Sequence, residues 1–233
     1  MTAIITVTPS RGRPSEAQEA WRSHESTKSR GSLSKMILAL DTDDPKLPEY
    51  ERLNERGKMW MVDWHGTMVE ATNKTALQIA RLYKRSIIGW AADDNRFATT
   101  GWDHEIANAF NDGKTAFVVP DDNHWHGSKA TNVFIRWDVV LALGWFALPS
   151  QRHLYIDDAW VRLGEGTGAL KFLPQVRIDH LNPLLTGKGV IDEGYKRVNA
   201  PDMYTVDGAA YLHWLNEGQY EKDVETIKKC LRF

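Results

Sequence analysis

Five short apolar runs alternate along this chain with segments of helical periodicity, and polar, proline or glycine residues close them. The runs are Ile4-Ile5-Thr6-Val7-Thr8, Met36-Ile37-Leu38-Ala39-Leu40, Lys58-Met59-Trp60-Met61-Val62, Ser86-Ile87-Ile88-Gly89-Trp90 and Thr115-Ala116-Phe117-Val118-Val119. Each reads as a strand. Helices are expected over about 15–26, 46–56, 71–84 and 102–110. Ala76, Leu77, Ala80 and Tyr83 carry the spacing of the third, and Ser15 is the expected cap of the first. This alternation argues for βαβ units, hence an α/β fold with a mainly parallel central sheet flanked by helices.

Downstream the pattern is looser. Two short helices (136–143 and 157–163) and two late strands (171–173 and 176–178) are expected. Residues 183–201, with five Gly or Pro residues, read as a long loop. A closing helix runs from about 206 to 231, and Gly164-Glu165-Gly166-Thr167-Gly168 reads as a turn. No repeat or linker divides residues 1–233.

In parallel sheets ligands bind beyond the carboxyl ends of the strands. Polar clusters stand at those ends, at 9–14, 41–44, 92–95 and 120–126, and are expected along one edge.

Composition excludes several classes. The chain has 233 residues, 42% hydrophobic and 26% charged, which is ordinary globular composition. Its formal charge is -2, so bulk electrostatics give no support to nonspecific nucleic-acid binding. A lone cysteine, Cys230, makes neither an internal disulfide nor a thiolate zinc cluster. No apolar run is long enough to span a bilayer, and no secretory leader is evident, so a cytoplasmic location is expected. Ten tryptophans suggest a ring-lined cleft, with core packing as the ordinary alternative. There is no G-x-x-x-x-G-K-[ST], G-x-G-x-x-G or G-x-S-x-G.

The candidate chemical residues are mostly acids at strand ends. Asp93-Asp94 follows an apolar strand, where carboxylates hold Mg2+ or Mn2+; the alternative is an ordinary turn. Asp41 and Asp43 suit ribose or base contacts, and Asp44 suits a helix cap before Pro45. Arg11 and Arg13 flank Gly12 in a cationic loop beside a nucleotide, or else in a solvated turn. Asp157-Asp158 opens a helix, either as dipole-complementing acids or with one as a general base. His180 ends a strand-like run and is able to complete a metal shell. His124-Trp125-His126 lacks a third ligand for zinc and suits a cleft wall with a ring platform.

Five stretches in order, ITVTPSRGRP (5–14), LALDTDD (38–44), IIGWAADDNRFATTGWD (87–103), RHLYIDDAWVRLG (152–164) and VRIDHLNP (176–183), resemble GT-A-fold glycosyltransferases of the family 2 type, particularly small bacterial and phage-encoded members. The resemblance implies an inverting transfer of a sugar from a nucleotide-sugar donor to a hydroxyl on a glycan, a protein or a modified DNA base. It implies donor contacts from Pro9, Arg11, Arg13, Asp41, Asp43, Asn73 and Asp93, a Mn2+ or Mg2+ ion at Asp94 and His180, and a base at Asp158 or its neighbour Asp157. It also implies a donor half over about 1–115, an acceptor half over about 116–205 and a closing segment over about 206–233. The acidic motif reads Ala92-Asp93-Asp94 rather than Asp-x-Asp, and the base pair reads Asp157-Asp158 rather than Glu-Asp. Trp90, Trp102, Trp125 and Trp160 lie in or beside these stretches, as stacking platforms or core. The rival readings are a nucleotidyltransferase and a non-catalytic sugar-nucleotide-binding protein.

Overall fold

The computed structural model describes residues 2–54, 59–187 and 191–231. Lys58, the end of the expected 46–56 helix, and Gly189 fall outside them. The elements are β1 (Ile4–Ser10), α1 (Pro14–Thr27), β2 (Lys35–Asp41), α2 (Leu47–Leu53), β3 (Trp60–Trp64), α3 (Met68–Leu82), β4 (Ile87–Trp90), β5 (Asn95–Phe97), α4 (Trp102–Ala109), β6 (Phe117–Asp121), β7 (Val133–Arg136), α5 (Trp137–Leu143), α6 (Ile156–Thr167), β8 (Leu170–His180), α7 (Pro183–Thr186), α8 (Glu193–Val198), α9 (Pro201–Asn216) and α10 (Gln219–Cys230).

The strands form one eight-stranded sheet in the order β3-β2-β1-β4-β7-β6-β8-β5. Pairing is parallel for β3–β2, β2–β1, β1–β4 and β6–β8, and antiparallel for β4–β7, β7–β6 and β8–β5. Six strands therefore point one way, and β7 and β5 oppose them. The sheet is mainly parallel, as the alternation predicts. The two opposed strands escape sequence reading.

Both faces are covered, so alternate residues of one strand enter different cores. Ile37 and Ala39 of β2 join the core under α3, α5, α6 and α10, while Met36, Leu38 and Leu40 join the core under α1, α2 and α4. Each fully buried Leu or Ile contributes about 1.5–3 kcal/mol. Gly89 in β4 is explained by this packing: a Cβ there would lie 2.6 Å from a Phe134 ring carbon and 3.0 Å from Thr6 Oγ1. Pro9 is tolerated late in β1 for a related reason. Val7 O accepts from Ala91 N–H on the β4 side, so Pro9, two residues on, faces a side where β4 has ended.

Several boundaries differ from expectation. Pro14, not Ser15, opens α1, and Arg13 is the N-cap residue. α3 starts at Met68 because Thr67 and Glu70 form a capping box, at 3.2 and 2.7 Å. The two late strands are one long strand, β8, with an irregularity opposite Pro120/Asp121. The glycine-rich 164–168 is not a turn. It is the last turn of α6 and its left-handed C-cap, Gly168 (φ +67°). Gly166 brings Tyr220 of α10 close, since a Cβ there would lie 2.1 Å from its hydroxyl. Within 183–201 the expected loop is instead α7 and α8, opened by Asn182 and Asp192 side chains that accept backbone N–H bonds. The closing helix is two, broken at Gly218 (φ +79°).

Candidate active site

The polar clusters at the strand ends meet along one edge, as parallel topology requires. They line a cleft of about 910 Å³, and every expected donor, metal or base residue except Asn73 borders it.

One wall is the β1–α1 loop with the ends of β2 and β4. Arg11 bridges Asp41 (3.0 Å) and Asp43. Gly12, at φ +72°, turns its N–H onto Asp44, 2.6 Å away. Ser10 Oγ donates to Asp93 Oδ2 at 2.7 Å, so the 2.8 Å contact with Tyr50 has the phenol donating to Ser10. Tyr50 in turn accepts from Arg13 N–H at 3.0 Å. This chain fixes the loop to the acidic motif. Arg13 grips Asp192 of the α7–α8 connection through two nitrogens, at 2.6 and 2.9 Å, and stands 3.6 Å from Asp93. Arg13 holds the Asp192 carboxyl below the usual carboxylate range.

Asp93 is buried and its neighbour Asp94 half-buried, and the two acids shift in opposite directions. Burial, with the charge of Asp94, pushes Asp93 up to about 7. Burial also pushes Asp94 up, but the His180 imidazole, Nε2 to Oδ2 3.6 Å, more than offsets it and Asp94 titrates low. His180 is raised in return: Asp94 outweighs the burial that lowers it. Asp94 Oδ1 and His180 Nδ1 are buried without a hydrogen-bond partner. An oxygen and an imidazole donor with an orphaned buried oxygen suit a divalent cation. Among the described residues no three His, Cys, Asp or Glu side chains gather to hold a metal unaided. Further ligands would therefore come from a bound anion or water.

Across the cleft, Asp157 and Asp158 occupy the first turn of α6. Lys129 Nζ lies 3.2 Å from Asp158 Oδ2 and 3.7 Å from Asp157 Oδ2. It also sits 5.4 Å above the Trp125 ring centroid. Burial and the charge of Asp158 raise the Asp157 carboxyl. Asp122 shapes the Trp125 loop by accepting N–H bonds from His124 (3.0 Å) and Trp125 (2.7 Å). The residue opening α6, Tyr155, is left-handed (φ +63°), a strained state for a non-glycine residue.

By sequence, no protein-family description and no curated protein matches the chain. By structure it is similar to S. aureus TarS, with TM-score 0.62 and 9% identity over 100% of this chain, which spans only 44% of TarS. A second S. aureus structure, TarS 1-349 in complex with UDP-GlcNAc, gives 0.62 and 8% over 96% of this chain and 70% of that one. Mannosyltransferase PcManGT from Pyrobaculum calidifontis, in complex with GDP-Man and Mn2+, gives 0.58 and 11% over 98% and 83%. This is the GT-A-type glycosyltransferase fold.

Within the GT-A frame some expectations need correction. Asn73 does not border the cleft. It lies in the second turn of α3, where its amide accepts from Phe146 and Ala147 N–H and donates to Ala147 O, all at 2.8 Å. Trp102 and Trp160 are fully buried core, whereas Trp90 and Trp125 border the cleft. Of the expected His124-Trp125-His126 cleft wall Trp125 borders the cleft and the two histidines do not; His126 Nδ1 meets Asp121 at 2.9 Å instead. Lys129, which belongs to none of the five stretches, also lines the cleft, as does His153 of the 152–164 stretch, and Asp192 is tied to its wall through Arg13.

Proposed function

We propose that this chain is a metal-dependent, inverting glycosyltransferase that moves a sugar from a nucleotide-sugar donor to a hydroxyl acceptor. The observation that carries this reading is the pairing of two carboxylate centres across one cleft: Asp94 with His180, and Asp157 with Asp158. Pro9, Arg11, Arg13, Asp41, Asp43 and Asp93 form the donor wall, in the N-terminal half of about 1–115. The acceptor side belongs to about 116–205, closed by 206–233.

Asp94 and His180 would hold Mn2+ or Mg2+, which supplies Lewis-acid stabilisation of a leaving diphosphate. Arg11 and Arg13 stand on the same wall, each held in place by its ion pairs with two aspartates, so their guanidinium donors are ordered before a ligand arrives. On the far side Asp158 takes the acceptor proton as the acceptor oxygen attacks the anomeric carbon. The bond to the diphosphate breaks, and the nucleoside diphosphate leaves. A single displacement inverts that carbon.

The test is incubation with a panel of nucleotide sugars and Mn2+, with glycan, protein and modified-DNA hydroxyl acceptors as separate arms. Release of a nucleoside diphosphate with transfer of an inverted sugar is expected. Pyrophosphate chemistry instead would make the chain a nucleotidyltransferase. Donor binding without turnover would make it a sugar-nucleotide-binding protein.

A further inference from the structure

The β6–β7 loop carries one cation into the cleft beside the carboxylate pair of α6. Lys129 is half-buried and contacts both Asp157 and Asp158, at 3.7 and 3.2 Å. The Trp125 ring lies beneath the ammonium at 5.4 Å, on the same loop. The loop itself is rigidly built. Asp122 accepts from His124, Trp125 and Thr131, and Gly127 lets the Phe172 ring approach to where its own Cβ would stand, 2.7 Å away. Nothing in the reading of Asp157-Asp158 as a base pair requires a lysine there.

We propose that Lys129 is a positioning residue for the carboxylate pair: it holds Asp157 and Asp158 together as anions and leaves one carboxylate oxygen facing the acceptor hydroxyl. Two carboxylates that share a site repel, which favours the protonated form of one, and here burial together with the charge of Asp158 raises the Asp157 carboxyl. A pair holding a proton is a poor base. Lys129 faces both acids at once, so one cation relieves the repulsion. Burial works against the ammonium, but Asp157 and Asp158 outweigh it and keep the lysine charged.

The other charged or titratable groups around the pair are few. Tyr155 stands at the start of α6 beside Lys129, Tyr211 approaches from α9 with Arg162 bonded to its hydroxyl, and His180 feels Asp157 from the end of β8. Tyr155 and Tyr211 are phenols, and His180 is engaged with Asp94. Among the described residues Lys129 is the cation in direct contact with the pair.

The inference rests on the transferase reading, so its test includes a measurement free of turnover. Carboxyl carbon signals of aspartate-labelled protein are followed through pH without substrate, with Asp157→Asn and Asp158→Asn assigning the two. In Lys129→Met the midpoints should rise by about one pH unit or more, the usual effect of losing a cation within contact. Lys129→Arg should keep them near the parent. The acid limb of kcat/KM for the acceptor should rise in step in Lys129→Met, so that on that limb the rate falls about tenfold per unit. Nucleoside diphosphate affinity should not change. Unmoved midpoints in folded Lys129→Met overturn the inference while leaving the transferase reading intact. A loss of nucleoside diphosphate affinity also overturns it, by making Lys129 a donor contact. If the parent protein turns over no donor, the transferase reading fails, whatever the titration gives.

Discussion

The Asp207 carboxylate accepts the backbone N–H of His153 at 2.9 Å, tying α9 to the strained turn that opens α6. The same carboxylate takes the N–H groups of Arg152 (3.1 Å) and Leu154 (2.7 Å), and it is fully buried. Tyr155, left-handed and next in the chain, stacks on Tyr211 of the same helix. The C-terminal helices thus act on the cleft by bracing the segment that carries Asp157 and Asp158.

Removing that brace should be costly. Asp207→Ala leaves three part-buried backbone donors, those of Arg152, His153 and Leu154, without their shared acceptor, at about 1 kcal/mol each, the low end for an unsatisfied donor. A loss of at least about 3 kcal/mol in urea unfolding is expected, and less for Asp207→Asn, which keeps one acceptor oxygen. A loss below about 1 kcal/mol for the alanine variant would show that the turn holds without Asp207.

Much of the cleft is readable in sequence because strand ends in a parallel sheet are polar. The clusters at 9–14, 41–44, 92–95 and 120–126 converge for that reason. What escapes has physical causes. β5 is three residues long and takes its place from pairing with β8, not from any periodicity of its own. β7 runs straight into α5, so its four residues carry no boundary signal. In 183–201 the cap residues Asn182 and Asp192 and the helix-opening prolines Pro183 and Pro201 are present, but glycine and proline content outweighs them in a loop reading. Asn73 shows the reverse error: its residue type fits a donor contact, but its partners lie 73 and 74 residues away. Lys129 and Asp207 act on α6 from distant positions, and no local pattern marks either.

His153 makes stability fall in acid. Burial lowers its pKa from an ordinary 6.5 to about 4. The unfolded chain takes up this proton near pH 6.5 and the folded chain only near pH 4. Stability from this group is therefore full above about 6.5 and is lost as the pH drops toward 4. At about 1.4 kcal/mol per unit the loss reaches about 3 kcal/mol. Denaturant midpoints of the parent and His153→Gln at pH 7 and pH 4.5 isolate the term: the gap between the two proteins should shift in favour of the glutamine variant at the lower pH. A gap independent of pH would mean that His153 is hydrated in the folded chain.

Asp94 should matter for metal-dependent affinity and little for folding. Asparagine keeps the volume and Oδ1 has no partner to lose, so the folding cost is confined to the 3.6 Å contact of Oδ2 with His180. Asp94→Asn should weaken Mn2+-dependent binding of UDP or GDP by more than about tenfold, since even indirect supports of metal ligands are worth that much. Calorimetry with and without Mn2+ measures the effect. An unchanged metal-dependent affinity would move the ion to other acids, with Asp41 and Asp43 first, although both are engaged by Arg11.

The roles within the α6 pair are separable by where each variant acts. A base that takes only the acceptor proton contributes to the transition state and little to donor affinity. Asp158→Asn should therefore lower kcat by about 10²–10⁴ with nucleoside diphosphate affinity unchanged. Asp157 is the control. Its carboxyl is raised by burial and by Asp158, and it lies farther from Lys129, at 3.7 against 3.2 Å. Asp157→Asn removes that repulsion, so a smaller fall in kcat is expected, with the acid limb of kcat moved to lower pH. If Asp157→Asn is the inactive variant and Asp158→Asn turns over, the two assignments exchange. If both variants turn over at the parent rate, neither acid takes the proton, and a single inverting displacement driven from this helix is ruled out even though the fold stands.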